Sequence, residues 1–239
     1  MADARPFLTA EWRWLAMLNY EAAPAVLSPF VPRGTELDSW NGRHYASIVG
    51  FAFQRTRVLG VPGWFHQDFE EVNLRFYVRR KAADGWRRGV VFVKELVPKA
   101  LVTFVARAFY NENYETVPMR RELAMLGSKK QFTYSWTFRS RENRLHVRAE
   151  GDWRELEPGS EAEFITEHYW GYTRQRDGGT IEYQVEHPRW RVVDARESSL
   201  DCDVAGLYGE GIAACLRSKP VSAFLADGST VTVYRGCKL

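Results

Sequence analysis

The chain has 239 residues, a formal net charge of +3, and a composition in which 45% of the residues are hydrophobic. This length is ordinary for one β-rich domain, so we expect a single domain over residues 1–239 with a substantial core. The charge is small and the arginines are interleaved with acidic residues, which argues against nucleic acid as a partner. A membrane-spanning segment is not expected, because no stretch approaches the ~18 consecutive apolar residues that a spanning helix needs.

Cysteine usage and the N-terminus indicate the compartment. The three cysteines lie far apart and form no Cys-x-x-Cys pair: Cys202, Cys215 and Cys237. An odd number of widely spaced cysteines is typical of a reducing environment. Residues 1–9 lack the charged-then-apolar pattern of a signal peptide, so we expect a cytoplasmic protein.

The first quarter of the chain is predicted to fold as strand, short helix, strand and loop. Residues 9–19 are mostly apolar and predict a strand, and residues 21–30 predict a short helix. Residues 43–55 carry aromatic and β-branched side chains and predict a second strand. Residues 57–67 contain glycine and proline and predict a loop, in which His66 is either an ordinary loop residue or part of a lid.

The strand predicted over residues 69–79 is the most informative element. Successive side chains of a strand point to opposite faces. One face is apolar: Val72, Leu74, Phe76 and Val78. The other face is polar: Glu71, Asn73, Arg75, Tyr77 and Arg79. If this face looks into an enclosed space, a carboxylate, an amide and a guanidinium converge on a ligand; if it faces solvent, the same residues form an ordinary Glu–Arg pair.

A strand and a helix are predicted next. Residues 89–97 read as a strand in which Lys94 and Glu95, as neighbours, must point to opposite faces. Pro98 suits the first turn of a helix, and the apolar spacing that follows predicts a helix over residues 99–110.

The rest of the chain is predicted to be mainly hairpins. Three pairs of alternating segments flank turn residues: 132–138 with 145–149, 164–172 with 180–187, and 221–226 with 230–234. The last pair flanks Asp227-Gly228, a strong hairpin-turn signal. A strand over 190–195 and a helix over 207–216 complete a mainly β chain with a few short helices.

Several segments together resemble a known family. They are Pro32-Arg33-Gly34-Thr35, residues 40–43, residues 49–51, residues 69–78, residues 89–95 and Tyr110-Asn111-Glu112-Asn113-Tyr114. They resemble the uncharacterised bacterial YqjF-like family (domain of unknown function 2071), a distant branch of the acetoacetate decarboxylase-like superfamily. The resemblance covers nearly the whole chain. It implies an α+β fold in which a curved antiparallel sheet closes into a cone-like barrel with an interior pocket.

The resemblance does not carry the superfamily's reaction with it. The decarboxylases use a lysine that forms a Schiff base with a keto acid, within a stretch that corresponds here to residues 107–114. Arg107 matches the arginine of that stretch, but Tyr114 stands about where the lysine would be. Without a primary amine there, Schiff-base decarboxylation has no nucleophile, so the resemblance implies the pocket and not the reaction.

Seven residues are candidates for the site. The catalytic candidates are Glu71, Tyr110 and Glu112, and the substrate-binding candidates are Asn73, Arg75, Arg107 and Tyr114. Glu71 would serve as acid or base, the arginines as anion clamps, and the tyrosines as proton donors. The residues near 110–114 could instead only end a helix, with the asparagines as caps.

Other chemistries have less support in the sequence. Lys94 and Lys99 are the nearest substitutes for a Schiff-base lysine, although each also fits an ordinary surface position. The five histidines show no metal-ligand spacing, so we expect no metal and no cofactor.

Two functions from different classes stay open. The first is an enzyme, or a degenerate relative of one, that acts on a small carbonyl- or carboxylate-bearing molecule by acid/base chemistry. The second is a non-catalytic barrel that binds a small apolar or aromatic ligand. Either way we expect a small-molecule ligand and neither nucleic acid nor membrane as a partner; a homo-oligomer is compatible with the sequence.

Overall fold

The computed structural model describes residues 6–62, 67–100, 103, 111 and 113–239. The strands are β1 (Pro6–Glu21), β2 (Glu36–Leu37), β3 (Tyr45–Val58), β4 (Val61–Pro62), β5 (Phe69–Ala82), β6 (Gly85–Val97), β7 (Tyr114–Thr116), β8 (Met119–Leu126), β9 (Lys129–Phe138), β10 (Arg141–Glu150), β11 (Trp170–Arg174), β12 (Thr180–Glu186), β13 (Val192–Asp201), β14 (Ser222–Tyr234) and β15 (Cys237–Lys238). The α-helices are α1 (Pro24–Leu27), α2 (Glu161–Thr166), α3 (Val204–Tyr208) and α4 (Glu210–Leu216). The predicted fold class, mainly β with short helices, is confirmed.

All the long strands belong to one curved sheet. Its order is β15-β12-β11-β6-β5-β3-β1-β14-β13-β10-β9-β8, and β12 also pairs with β14. That additional pairing joins Val185 to Val233 and Glu186 to Thr232, so the strands from β12 round to β14 form a closed path. Most pairs are antiparallel, whereas β6 runs parallel to both β7 and β11.

The curved sheet has a separate core on each face. Inside the curve, apolar side chains of β1, β3 and β14 gather around Trp190. On the other face, residues such as Leu74 and Phe76 pack against β9, β10, α3 and α4. Long strands buried on both faces explain why β3 and β5 are so rich in apolar residues.

A buried ion cluster joins β12 to the middle of the sheet. Both carboxylate oxygens of Glu182, on β12, accept hydrogen bonds from arginines: Arg80 on β5 at 3.1 Å and Arg87 on β6. The Arg87 guanidinium also lies over the Trp170 ring, 4.1 Å from its centre. Glu182 is buried and the two arginine side chains are each 25% exposed.

Several predicted elements differ from the structure. Residues 164–166 begin no strand but belong to α2, because Ser160 caps that helix and its hydroxyl accepts from the Glu163 amide. The predicted helix over 207–216 is broken in two at Gly209, whose φ of +84° does not fit a helix.

The predicted hairpin at Asp227-Gly228 is also wrong. β14 runs through both residues as one strand, paired along its length with β1. Gly228 lies opposite Arg13 with a φ of +77°, so its conformational freedom is used inside a strand and not in a turn. Finally, the predicted loop over 57–67 contains the end of β3 and β4, while His66 and nearly all of the predicted helix over 99–110 lie outside the described residues.

None of the helices in the described part of the chain has the length and apolar character needed to span a bilayer.

Candidate functional site

The inside of the curved sheet encloses a cavity of about 360 Å³. Most of its described wall is apolar, and much of it is aromatic. Trp12 makes edge contacts with Phe51 and Phe53, at 5.5 and 5.8 Å between ring centres, and Phe53 stacks on Phe69 at 4.6 Å. A cavity of this size with a largely apolar wall and a few polar groups is typical of a small-molecule site.

The polar face of β5 supplies one end of the cavity. Glu71, Asn73 and Arg75 all line it, and each side chain is more than 90% buried. Their even-numbered neighbours pack into the core on the other face of the sheet, as the alternation of the sequence predicts. The structure therefore brings the predicted carboxylate, amide and guanidinium together in an enclosed space.

Glu71 is held by two donors within this end of the cavity. Its Oε1 accepts from Asn73 Nδ2 at 2.9 Å, and its Oε2 accepts from Tyr114 Oη at 3.1 Å. Burial raises the pKa of Glu71 from 4.5 to about 7, although both hydrogen bonds and the positive charge of Arg75 oppose that shift. Glu71 can therefore exist in both protonation states near neutral pH.

Arg75 is fixed on one side and open on the other. One terminal nitrogen donates to the Ile165 carbonyl at 3.2 Å, at the end of α2. Its Nε has no hydrogen-bond partner among the described residues, and neither has Oδ1 of Asn73. Buried polar atoms without partners are rare in folded proteins, and inside a cavity they indicate where a ligand would bind.

His168 adds a polar ring to the same end. The ring packs against Tyr77, with 4.6 Å between ring centres, and lines the cavity. Burial, together with the charges of Arg88 and Arg75, holds the pKa of His168 well below 6.5, so the ring is neutral at pH 7. The Ile165 carbonyl is near enough to oppose this shift, yet neither ring nitrogen makes a hydrogen bond of normal geometry with a described residue.

The pair Lys94 and Glu95 divides between the two faces of β6. Glu95 is buried and lines the cavity. Lys94 points to the other side, where its Nζ forms an ion pair with Glu115 at 2.9 Å. No lysine, including Lys99, is among the described residues that line the cavity.

A row of buried hydrogen bonds crosses four strands beneath the polar end. The Tyr77 hydroxyl donates to Ser47 Oγ at 2.7 Å, and Ser47 donates to Asn19 Oδ1 at 2.7 Å. The Asn19 amide in turn donates to Ser222 Oγ at 3.0 Å, and Ser222 donates to Glu161 in the first turn of α2. This row fixes α2, and with it the carbonyl that holds Arg75.

The other predicted site residues belong to the segment over residues 107–112, most of which the structure does not describe. Arg107, Tyr110 and Glu112 are outside the described residues. Asn111 and Asn113 direct their amides away from the cavity, to the carbonyls of Arg174 and Val93 at 2.9 and 2.8 Å. No cluster of metal-ligating side chains occurs in the described ranges.

Sequence reasoning did not assign several cavity residues to the site, among them Glu95 and His168. Glu95 is found by the strand register, because it pairs directly with Asn73 across β5 and β6, but alternation alone could not tell which of Lys94 and Glu95 faces inward. His168 follows α2 in a short connection, and no motif marks it.

Comparison with solved structures shows which known proteins share this fold. The enduracididine biosynthesis enzyme MppR, in complex with pyruvate, matches 100% of this chain and 91% of its own with a TM-score of 0.69 at 11% identity. The acetoacetate decarboxylase of Legionella pneumophila subsp. pneumophila str. Philadelphia 1 matches 99% of this chain and 88% of its own, with a TM-score of 0.66 at 13% identity. An acetoacetate decarboxylase-like enzyme of Sphingomonas wittichii RW1 matches 100% and 94%, with a TM-score of 0.68 at 11% identity.

Sequence comparison gives the family. No curated protein matches the chain by sequence. The model of the DUF2071 family, described as an uncharacterized conserved protein, matches residues 9–230. The chain therefore belongs to the DUF2071 family and has the fold of the acetoacetate decarboxylase-like proteins.

Proposed function

We propose that this protein is an enzyme that moves a proton on a small carbonyl- and carboxylate-bearing molecule, with Glu71 as acid and base and without a Schiff-base lysine. The observation that carries the proposal is the state of Glu71: buried in an aromatic cavity, held by two donors, and with a pKa raised to about 7. A catalytic acid or base works best when its pKa lies near the working pH.

The proposed step is proton transfer next to a carbonyl group. The ionised Glu71 carboxylate removes a proton from the carbon beside the carbonyl. The electron pair of that C–H bond forms the C=C bond of an enolate, while the π pair of the carbonyl moves to its oxygen. Protonated Glu71 then returns its proton to carbon. Arg75 binds the carboxylate of the substrate, Asn73 fixes the Glu71 carboxyl, and Tyr114 stabilises its ionised form. Arg107, Tyr110 and Glu112 stay proposed contributors to the same site.

The chemistry of the cavity wall supports a reaction without covalent attachment. No lysine is among the described lining residues, and Lys94 is paired with Glu115 on the opposite face of β6. The fold agrees with a pocket for such molecules at the level of analogy, since the structurally similar MppR was determined with pyruvate bound.

Hydrogen–deuterium exchange tests the proposal directly. Wild-type protein in D₂O at pH 7 should speed exchange of the protons beside the carbonyl in members of a panel of 2-oxo acids, followed by NMR. Glu71→Gln should lower that rate at least ~100-fold, because the amide cannot accept the proton. The matched control is Glu70→Gln: Glu70 is the neighbouring residue and pairs with Arg121 outside the cavity, so the rate should stay within about twofold.

Borohydride reduction checks the covalent alternative. Treatment of the protein with 2-oxo acids and borohydride should leave no label, as judged by intact mass. Labelling at Lys94 or Lys99 would contradict the proposal.

The second candidate is a binding protein without catalysis, which the largely apolar wall favours. It is distinguished by the same exchange assay. If oxo acids bind but wild-type protein accelerates none of their exchange reactions, the binding function replaces the enzymatic one.

A further inference from the structure

The atoms without partners at the polar end define what a ligand must offer. Among the described residues, Nε of Arg75 is a donor without an acceptor, and Oδ1 of Asn73 is an acceptor without a donor. The neutral His168 ring provides one donor and one acceptor, neither of them engaged by a described residue. All three side chains are more than 90% buried, so only a molecule inside the cavity can satisfy them.

The charges of the described lining residues at this end favour a ligand with one negative charge. Arg75 is the single Arg or Lys side chain among the described lining residues. In the described ranges, the titratable groups that line the cavity with Glu71 are Arg75 on the same strand, Glu95 on β6, Tyr114 on β7, His168 after α2, Tyr183 on β12 and His187 after β12. β1 and β3 present no titratable side chain to the cavity in the described ranges. Burial lowers the pKa of His187 as well, so both histidines are neutral at pH 7.

The other end of the cavity fits a flat ring. Trp190 is held in place by its indole N–H, which donates to Ser229 Oγ at 2.9 Å, and His187 stacks on it at 4.4 Å. Trp12 lies edge-on to Trp190 at 6.3 Å and edge-on to Phe51 at 5.5 Å. Rings held at such angles offer both faces and edges to a further aromatic group, which adds to its apolar burial.

We propose that the cavity binds an aromatic monocarboxylate, with its carboxylate on Arg75 and its ring among Trp12, Phe51 and Trp190, and that Glu71 is protonated in this complex. The inference rests on the site of the proposed function and names its substrate class.

The protonation follows from charge repulsion in a dry site. An ionised Glu71 and a bound carboxylate would share one end of the cavity with Glu95 and with Arg75, the one permanent cation among the described lining residues. Like charges in such a site cannot both remain ionised at little cost. Binding therefore raises the Glu71 pKa and takes up a proton. Because the free carboxyl titrates near pH 7, uptake should be about half a proton at pH 7 and close to one at pH 8.

Binding of three probes by calorimetry tests the ligand class without any need for turnover. The probes are 3-phenylpropanoate, its neutral amide 3-phenylpropanamide, and propanoate, which lacks the ring. At pH 6.5 we expect 3-phenylpropanoate to bind at least ~10-fold more tightly than either of the others, because each lacks one of two strong contacts. Tighter binding of octanoate than of 3-phenylpropanoate would overturn the preference for an aromatic ring.

Arg75→Met tests the carboxylate contact. It should weaken 3-phenylpropanoate at least ~10-fold and leave 3-phenylpropanamide within about twofold, since only the first uses the guanidinium charge. The amide also serves as the folding control for this variant. Arg79→Met is the matched surface control, because Arg79 lies on the same strand and pairs with Glu36, and it should leave both affinities unchanged. Equal losses for acid and amide in Arg75→Met would refute the placement.

Proton uptake tests the state of Glu71. Calorimetry in Tris and in triethanolamine, two cationic buffers with different heats of protonation, gives the number of protons taken up. The affinity of 3-phenylpropanoate should fall up to ~10-fold per pH unit above pH 7. Glu71→Gln should still bind the acid, with neither proton uptake nor that pH dependence. Zero uptake by wild-type protein at pH 8 would disprove the coupling.

The outcomes separate this inference from the proposed function. Binding as described, with no deuterium exchange, supports the ligand class and removes the catalytic role. Exchange in oxo acids that have no ring, with no binding of 3-phenylpropanoate, supports the catalytic role and removes the ligand class.

Discussion

Glu71 lowers the stability of the folded protein as the pH rises. Its carboxyl has a pKa of about 7 in the folded protein against 4.5 for an ordinary glutamate. The folded state therefore holds its proton more tightly than the unfolded state, and unfolding becomes easier as the pH rises from 4.5 to 7. By linkage the loss amounts to roughly 3 kcal/mol above pH 7.

Glu71→Gln should reveal this cost. The amide cannot ionise, so the variant should unfold at a higher temperature than wild type at pH 8 and at nearly the same temperature at pH 5. Thermal unfolding followed by circular dichroism at both pH values measures the difference. A variant that is less stable than wild type at both pH values would show that the Glu71 carboxylate holds the structure together.

At the scale of elements, the sequence predicted side-chain orientation well where polar and apolar residues alternate along a strand. The two faces of β5 were predicted correctly, because a strand buried on both sides sorts its polar and apolar residues strictly. The Asp227-Gly228 pair was misread because a turn and a strand irregularity both use glycine with positive φ. Only the continuous pairing of β14 with β1 distinguishes them, and that is a long-range contact.

Two glycines that each follow an aspartate test this distinction. A Cβ on Gly228 would lie 2.0 Å from the Trp12 carbonyl oxygen, whereas one on Gly178 would meet nothing within 4 Å; their φ angles are +77° and +80°. Gly178→Ala should cost about 1 kcal/mol, the strain of the backbone alone. Gly228→Ala should cost about 3 kcal/mol, because β1 and β14 must separate. Urea unfolding measures the loss of unfolding free energy in both variants. Equal losses would mean that β1 can move away from the new methyl group at little cost.

At the scale of the whole molecule, closure of the sheet depends on few contacts. β12 meets β14 at only two residue pairs, and Glu182 ties β12 to β5 and β6 from the other side. That polar tie could not be foreseen, since Glu182 lies about a hundred residues from both Arg80 and Arg87 and charged residues on strands usually face solvent.

Glu182→Gln should weaken this closure. Two arginines would lose their carboxylate, at a cost of about 2 kcal/mol, which is less than for a fully buried pair because both arginines are partly exposed. Glu186→Gln is the control on the same strand, where the carboxylate accepts two exposed hydrogen bonds, from the Gln184 amide and the Tyr234 hydroxyl. Urea unfolding measures both, and hydrogen exchange should show faster exchange in β12 for Glu182→Gln alone.

The buried row from Tyr77 to Glu161 has a consequence for how this protein could change over evolution. Asn19, Ser47 and Ser222 are absent from the described wall of the cavity, yet they hold the helix whose last turn aims Arg75. Replacements at these buried positions would therefore change which anions Arg75 can bind, without altering any side chain that lines the cavity. Differences in ligand preference among relatives should therefore be looked for in this row of hydrogen bonds as well as in the residues that line the cavity.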